Sequence, residues 1–424
     1  MKINQNDRKK DLSLKILYVD MNSFFASCEQ QVNYYLRNLP IAVCVYPGKF
    51  GAVIAPSIEA KKKGIKLGMR LDEAIKKCPE LIPIETHPNR YREFHVEIMN
   101  VLRKYSKHVI PKSIDEAFVN FSDCKFKEAT FVELAEQIKK DIREEVGDYL
   151  KCSIGIAPNE FLAKLATDIK KPDGLTVIST ENIDSILKKL SLTDLPGIAK
   201  AMALRLKTSG IETPLQLRHT PPEELKRACQ SIVGLYWHYR LNFSEVDIAM
   251  EDYKSMQAMR QISKSQRKNI QSLWDLLASL CLTLEKRMVK QSVYCKQIIF
   301  NTRYEDGKYY REIIHCDNPV QEGSQILGLI KNRMKLYEKE NNFEPVVNTL
   351  VNMMGVNVFN FVPDEVVQFD LFDNNVQRHK LRKAISEVRG KFGNEIIKKA
   401  VENHDKQAMA DAIGFGSVKH LFEK

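Results

Sequence analysis

Three carboxylates in this chain could do chemistry together. Asp20 ends the apolar run "ILYVD" at 16–20, and burying a carboxylate is costly unless something compensates its charge. Asp115 and Glu116 stand side by side in "PKSIDEAFVNF" at 111–121, where a strand begins and a hairpin fits. Adjacent acids repel unless they are solvated or share a cation. Singly, each site has an ordinary reading: a helix cap for Asp20–Asn22, a solvated turn for Asp115–Glu116. If strands 15–20 and 116–121 are neighbours, all three carboxylates meet at one sheet end. Hard divalent ions such as Mg²⁺ are held by a few carboxylates plus substrate phosphates. Two such ions stabilise the attacking and leaving oxygens of an in-line nucleotidyl displacement.

The elements that must position these acids are legible in outline. "KILYVD" (15–20), "PIAVCVY" (40–46), "GAVIAP" (51–56), "EAFVNF" (116–121) and "CSIGIA" (152–157) are short runs of the kind that form half-buried or buried strands. Helical spacing occupies 91–106, 130–146 and 159–171, the last with Asn159 as N-cap and "KPDG" as stop. The mixture predicts an α/β or α+β core. From 183 to 245 the pattern is helical. From 253 onward a basic region joins a helical stretch (266–290) to a hairpin, "YCKQIIFNTRY"–EDG–"KYYREIIHC". After about 362 the chain is polar except for "VVQFDLFD" (366–373), and it ends in a charged helical tail.

Composition narrows the partners. A formal charge of +11 across 424 residues attracts polyanions, of which nucleic acid is the commonest. Between 260 and 300, eight Lys and Arg stand against Asp275 and Glu285. The nine cysteines include no C-x-x-C pair, which argues against a zinc cluster or disulfide framework and for reduced thiols in a cytosol. The first fifteen residues are polar, and no stretch has the length of a membrane-spanning helix, so a soluble cytoplasmic protein without a membrane partner is expected.

Four stretches in order, "VDMNSFFASCE", "SIDEAF", "SIGIAPNEFLAKLATDIKKPDG" and "LPGIAKAMALRLKTSGI", resemble the signatures of Y-family translesion DNA polymerases. The resemblance runs from about residue 14 to 245 and continues more loosely through the basic region. In detail it is nearest to the SOS-induced branch that includes the catalytic subunit of DNA polymerase V. It implies an α+β right-hand polymerase: a ferredoxin-like palm at 1–25 and 90–178, small fingers at 26–89, a helix-hairpin-helix thumb at 179–246, an α/β little finger at 253–362, and a clamp-binding peptide with basic tail at 363–424.

The same resemblance implies roles residue by residue. Asp20, Asp115 and Glu116, with the backbone carbonyl of Met21, match the ligands of two catalytic Mg²⁺ ions. Phe25 matches the steric gate that excludes a 2′-hydroxyl, and Phe24 lends a backbone N–H to the triphosphate, as helix starts do. Lys164 matches the triphosphate lysine. Lys61 matches a second cation, often Arg in relatives, whose bidentate fork Lys lacks. Asn22 stands where many members carry Asp, Ile58 where a Tyr is common, and Ala199 where the thumb hairpin usually has a second Gly. "QFDLF" fits a bacterial sliding-clamp peptide, with Gln368, Leu371 and Phe372 as anchors.

Implied partners are primer-template DNA, dNTPs, the bacterial sliding clamp and SOS accessory proteins, with the enzyme on the nucleoid in the cytoplasm. The expected function is addition of dNTPs to a primer 3′-OH past damaged template bases. The alternative is a catalytically inactive clamp- and DNA-binding regulator derived from such a polymerase. A nucleotide cyclase would share the paired acids, but it explains neither the helix-hairpin-helix nor the basic region.

Overall fold

The computed structural model describes residues 12–48, 51–123, 127–246, 254–264, 266–341, 345–368, 375–393 and 396–397. The chain divides into two compact units near Asp247 and Ile248.

The first unit runs β1 (Ile16–Met21), α1 (Phe24–Val32), β2 (Ile41–Cys44), β3 (Val53–Pro56), α2 (Ile58–Lys62), α3 (Leu71–Lys77), β4 (Ile82–Glu85) and α4 (Pro88–Arg103). It continues with β5 (His108–Pro111), β6 (Glu116–Asn120), α5 (Glu128–Asp141), β7 (Cys152–Ala157), α6 (Glu160–Ile169) and β8 (Leu175–Val177). Five short helices close it: α7 (Ile183–Leu187), α8 (Lys200–Thr208), α9 (Pro214–His219), α10 (Pro222–Cys229) and α11 (Val233–Leu241).

Its main sheet has the order β5-β6-β1-β7-β8, with β1 antiparallel to both neighbours. Every residue of β1 is buried because both faces are covered. Leu17 and Val19 join one core cluster with residues of α4 and α5, while Ile16 and Tyr18 join another with residues of α6 and the later helices. That two-sided burial explains why "ILYV" reads as an unbroken apolar run rather than an alternating one. A smaller sheet, β3-β2-β4, holds the segment between α1 and α4.

The second unit carries β9 (Ser255–Gln261), α12 (Ile270–Lys290), β10 (Val293–Tyr304), β11 (Tyr309–Val320), α13 (Gly323–Glu340), β12 (Val351–Pro363) and α14 (Asn375–Phe392). Its sheet is β11-β10-β12-β9, all antiparallel. One face packs on α12 and α13, through Met256, Ile298, Phe300, Met354, Val356 and others.

The expected strands at 15–20, 116–121 and 152–157 form, and those at 40–46 and 51–56 form in shortened versions. The expected helix at 130–146 is α-helical only to Asp141 and then widens into a π turn over Ile142–Val146. Strands β4, β5, β8, β9 and β12 lie outside the expected set; β4, β5 and β8 are four residues or fewer, whereas β12 alternates the buried Met354, Val356 and Val358 with Met353, Gly355 and Asn357 on the other face. Asn159 caps α6 as expected, its side chain accepting from the Leu162 amide at 2.9 Å.

Candidate active site

The antiparallel register of β1 and β6 sets Asp20 directly opposite Glu116. Alternation along the strands puts both on the same face as Tyr18 and Phe118, beneath α6. Asp115 precedes β6 in a tight hairpin from β5, closed by the Lys112 amide on the Glu116 carbonyl at 2.8 Å. The Asp115 carbonyl accepts from the Met21 amide at 2.9 Å, which locks the two acidic segments together. The three acids therefore meet at one sheet end.

Helix α6 delivers a cation to this corner because Gly155 lets it come close. A Cβ at Gly155 would lie 2.0 Å from the Ala163 carbonyl oxygen, so any larger residue would push the helix off β7. With Phe161, Leu162, Leu165 and Ala166 buried, the stem of Lys164 crosses the Tyr18 ring, its Nζ 5.3 Å from the centroid. The ammonium donates to Asp20 Oδ2 and, at 2.5 Å, to Glu116 Oε1. Lys171, in the turn after α6, lies 3.0 Å from Asp20 Oδ2 and 2.7 Å from Asp168 Oδ1. Tyr18 donates its hydroxyl to Glu116 Oε2 at 3.0 Å, and Ser113 donates to Asp115 Oδ1 at 2.6 Å.

These contacts set the protonation balance. Burial pushes the Asp20 carboxyl up, but the Lys164 and Lys171 ammoniums outweigh it and hold it below the usual carboxylate range. Burial raises Glu116, and Lys164 only partly offsets it against the repulsion of Asp20 and Asp115. Burial also raises Asp115, with Asp20 adding to it. Lys164 is held above its ordinary value because Asp20 and Glu116 overcome the cost of its burial. Lys61, on α2, is exposed by surface area but walled by protein. That desolvation lowers its pKa, with Lys171 adding to it against the pull of Asp20 and Asp115. Lys61 is therefore in the field of the same corner.

Asn22 does other work. Its amide donates to Ser153 Oγ at 3.1 Å and accepts from the Asp173 amide at 2.7 Å, tying the end of β1 to β7 and to the "KPDG" turn. Ser23, in a left-handed conformation (φ 50°), starts α1 without a side-chain cap, so the first-turn amides of that helix have no side-chain acceptor at the N-cap. Phe25 lies in the core, 1% exposed, stacked on Tyr91 with centroids 4.4 Å apart and planes 13° from parallel. The Tyr91 hydroxyl donates to the buried Glu29 at 2.8 Å. Ala199 has φ −86° at the N-cap of α8, whereas Gly197 takes φ +85°. Only Gly197 needs glycine's freedom, so the alanine carries no backbone strain.

The donor set suits a hard cation: oxygen ligands only, with two of the three carboxyls short of compensating charge. Among the described residues, no group of three or more His, Cys, Asp or Glu stands at metal-ligand spacing. An incomplete cage fits Mg²⁺, which takes one or two carboxylates and finishes its shell with water and substrate phosphates.

Residues 19–168 match the impB/mucB/samB family, and residues 253–371 match the C-terminal domain of the same family. A DNA polymerase IV of Streptococcus pneumoniae serotype 2 is 31% identical over 81% of this chain and 98% of its own length. A DNA polymerase IV 1 of Halalkalibacterium halodurans is 30% identical over 91% and 92%. The chain belongs to the impB/mucB/samB family, the Y-family DNA polymerases. In fold it is similar to a solved Y-family polymerase chimera of Dbh and Dpo4, with a TM-score of 0.67 at 24% identity, covering 82% of this chain and 99% of that one. The first unit thus holds the palm-like sheet, and the second the little-finger sheet. These curated relatives are all named DNA polymerase IV; the lean of the motifs toward the polymerase V branch is not what they favour. Nor do they support an inactive regulator.

Sequence reasoning missed Lys171, Tyr18 and Ser113, which have no signal without the register. Within 260–300, Arg267 is buried and pairs with Glu305 at 3.1 Å, and Arg287 donates to the Gln257 carbonyl. The sheet face away from α12 and α13 is more open. Its residues, in register, are Ser255, Gln257, Met259 and Gln261; Gln297, Ile299, Asn301 and Arg303; Tyr309, Arg311, Ile313 and His315; Met353, Gly355, Asn357 and Phe359. No acid is among them. They surround a depression of about 310 Å³ lined by Gln257, Asn301, Arg303, Tyr309, Arg311 and Asn357. Of the clamp-type peptide, Gln368 is exposed, and Leu371 and Phe372 lie outside the described residues. Among the described residues, no helix is long and apolar enough to cross a membrane.

Proposed function

We propose that this chain is a template-directed DNA polymerase of the DNA polymerase IV type, adding deoxynucleotides to a primer 3′-OH opposite damaged template bases in the bacterial cytoplasm. The observation that carries the reading is Asp20 facing Glu116 across β1 and β6, with Asp115 at the adjoining hairpin. Asp20, Asp115, Glu116 and the Met21 carbonyl would hold Mg²⁺. Bound there, two such ions supply Lewis-acid stabilisation of the attacking and leaving oxygens.

The chain's own groups do the rest. The Phe24 amide, in the first turn of α1, receives the triphosphate, and Lys164 and Lys61 supply its counter-charge. Phe25, fixed against Tyr91, forms a rigid floor beneath the sugar on which a 2′-hydroxyl would clash. The division into palm (1–25, 90–178), fingers (26–89), thumb (179–246) and little finger (253–362) follows from this reading. In it the open sheet face of the second unit, with Arg303, Arg311 and His315, holds the duplex by its phosphates, without reading sequence.

Primer extension in Mg²⁺ tests the proposal, with Glu116→Ala as control. Extension by the parent and none by the variant is expected; equal extension by both overturns the assignment. The clamp reading rests on Gln368, Leu371 and Phe372. Losing each apolar anchor costs about 2 kcal/mol if it is an interface hot spot, roughly thirtyfold in affinity. Leu371→Ala with Phe372→Ala should leave unassisted synthesis intact and remove stimulation by a loaded bacterial clamp; undiminished stimulation rules the tether out.

A further inference from the structure

Helix α4 sends one buried polar side chain to the hairpin of the acidic corner. His95 is fully buried, and its Nδ1 lies 2.7 Å from the carbonyl oxygen of Ile114. A carbonyl only accepts, so Nδ1 carries the proton. Burial holds the ring below the ordinary imidazole range, so it is neutral and that N–H is its one donor. The next residue after Ile114 is Asp115. The Asp115 carbonyl is held by the Met21 amide at 2.9 Å, and its carboxylate by the Ser113 hydroxyl at 2.6 Å. His95 holds the peptide group on the other side of the same Cα. Ile114 is itself buried in the core, where a carbonyl deprived of its donor is costly. Tyr91 and His95 stand one turn apart on the buried face of α4, so a single helix supports both the Phe25 ring and the acidic hairpin.

We propose that His95 is a positioning residue for the reaction centre: its Nδ1–H fixes the Ile114 carbonyl, and with it the direction from which Asp115 offers its carboxylate to the divalent cation. The inference rests on the acidic-corner reading of the active site. Asp20 and Glu116 lie in paired strands, whose register holds them. Asp115 lies just outside β6, in the hairpin, so its aim depends on bonds made to the loop itself. Partners that orient a metal ligand from behind are worth about 10- to 100-fold in metal affinity or activity. A histidine that merely filled the core would leave metal binding unchanged when an apolar ring took its place.

The test is Mn²⁺ binding, followed by electron paramagnetic resonance, to the full-length protein on a dideoxy-terminated primer-template with the next dNTP, so that no chemistry occurs. His95→Phe keeps a ring and His95→Leu an apolar side chain, and neither can donate; two variants are used so that misfolding of one, seen by circular dichroism, leaves the other. Both should bind Mn²⁺ about tenfold more weakly than the parent, at unchanged affinity for the primer-template. His95→Asn sets an amide N–H where Nδ1 stands and should bind Mn²⁺ as the parent does. Parent-like Mn²⁺ binding in a folded Phe or Leu variant, or an Asn variant as weak as they are, overturns the proposal. Asp115→Asn separates the two readings: it should lose this Mn²⁺ site, and if it binds like the parent, the acidic-corner assignment itself is wrong, whatever the His95 variants do.

Discussion

The main sheet of the first unit, antiparallel except for β7 beside β8, and the wholly antiparallel sheet of the second treat charge in opposite ways. In the first unit the sheet is covered on both faces, so at its end Asp20 is buried and Asp115 and Glu116 are half-buried, each with a named partner: Lys164 for Asp20 and Glu116, Lys171 for Asp20, Ser113 for Asp115. In the second unit helices cover one face only. The other carries Arg303, Arg311 and His315, with no acid among the outward residues in register with them. Buried charge is held at fixed points, as a reaction centre requires. Exposed charge is left free to meet a polyanion and is screened by salt. The difference lies in what covers the sheet rather than in strand sequence.

The sharpest way to break this contrast is at the buried end. Asp20→Ala should lower the rate of nucleotide addition by about a thousandfold, as loss of a fixed electrostatic group does, while leaving primer-template affinity unchanged in a fluorescence anisotropy titration. A parallel loss of DNA affinity would mean the corner also serves as a DNA grip. Next in size is sugar selection. Phe25→Ala should raise ribonucleotide incorporation relative to dNTP by about 10- to 200-fold, the range over which pockets discriminate groups of this size. An unchanged ratio in competitive incorporation would remove Phe25 from the nucleotide site.

The open face gives a smaller, salt-dependent effect. Arg303→Ala with Arg311→Ala should weaken DNA binding on every sequence and flatten the dependence of log affinity on log salt by roughly 0.9 per lost phosphate contact. Sequence-dependent loss at constant slope would mean that this face reads bases. Smallest is the support of the corner. Asn159→Ala removes the cap of α6, the helix that carries Lys164, and should cost about 1 kcal/mol of stability in denaturant unfolding. No change would show that packing over Gly155 alone fixes the helix.

Much of the reaction centre was legible because its residues are constrained. An acid ending an apolar run, two acids opening another, and a capped helix with one lysine beside its stripe each leave a mark in the sequence, and the neighbouring strands bring them together. Lys171 and Tyr18 left none: a lysine before "PDG" and a tyrosine in an apolar run gain meaning only from the pairing of β1 with β6 and β7. Counting Lys and Arg along 260–300 cannot tell Arg267, spent on Glu305, from Arg303 and Arg311, which alternation places on the open face. Strand β12, which pairs with both β10 and β9, sets that face and was not recognised as a strand.

The claim that chemistry and grip are divided between these two surfaces is tested most directly by one crossed measurement. Single-turnover nucleotide addition and primer-template affinity are determined on the same preparations of the parent, Asp20→Ala, and Arg303→Ala with Arg311→Ala. The account predicts that the acidic variant loses rate and keeps affinity, and that the arginine variant loses affinity while its rate at saturating DNA matches the parent. If the arginine variant remains slow at saturating DNA, or the acidic variant fails to hold DNA, the division does not exist.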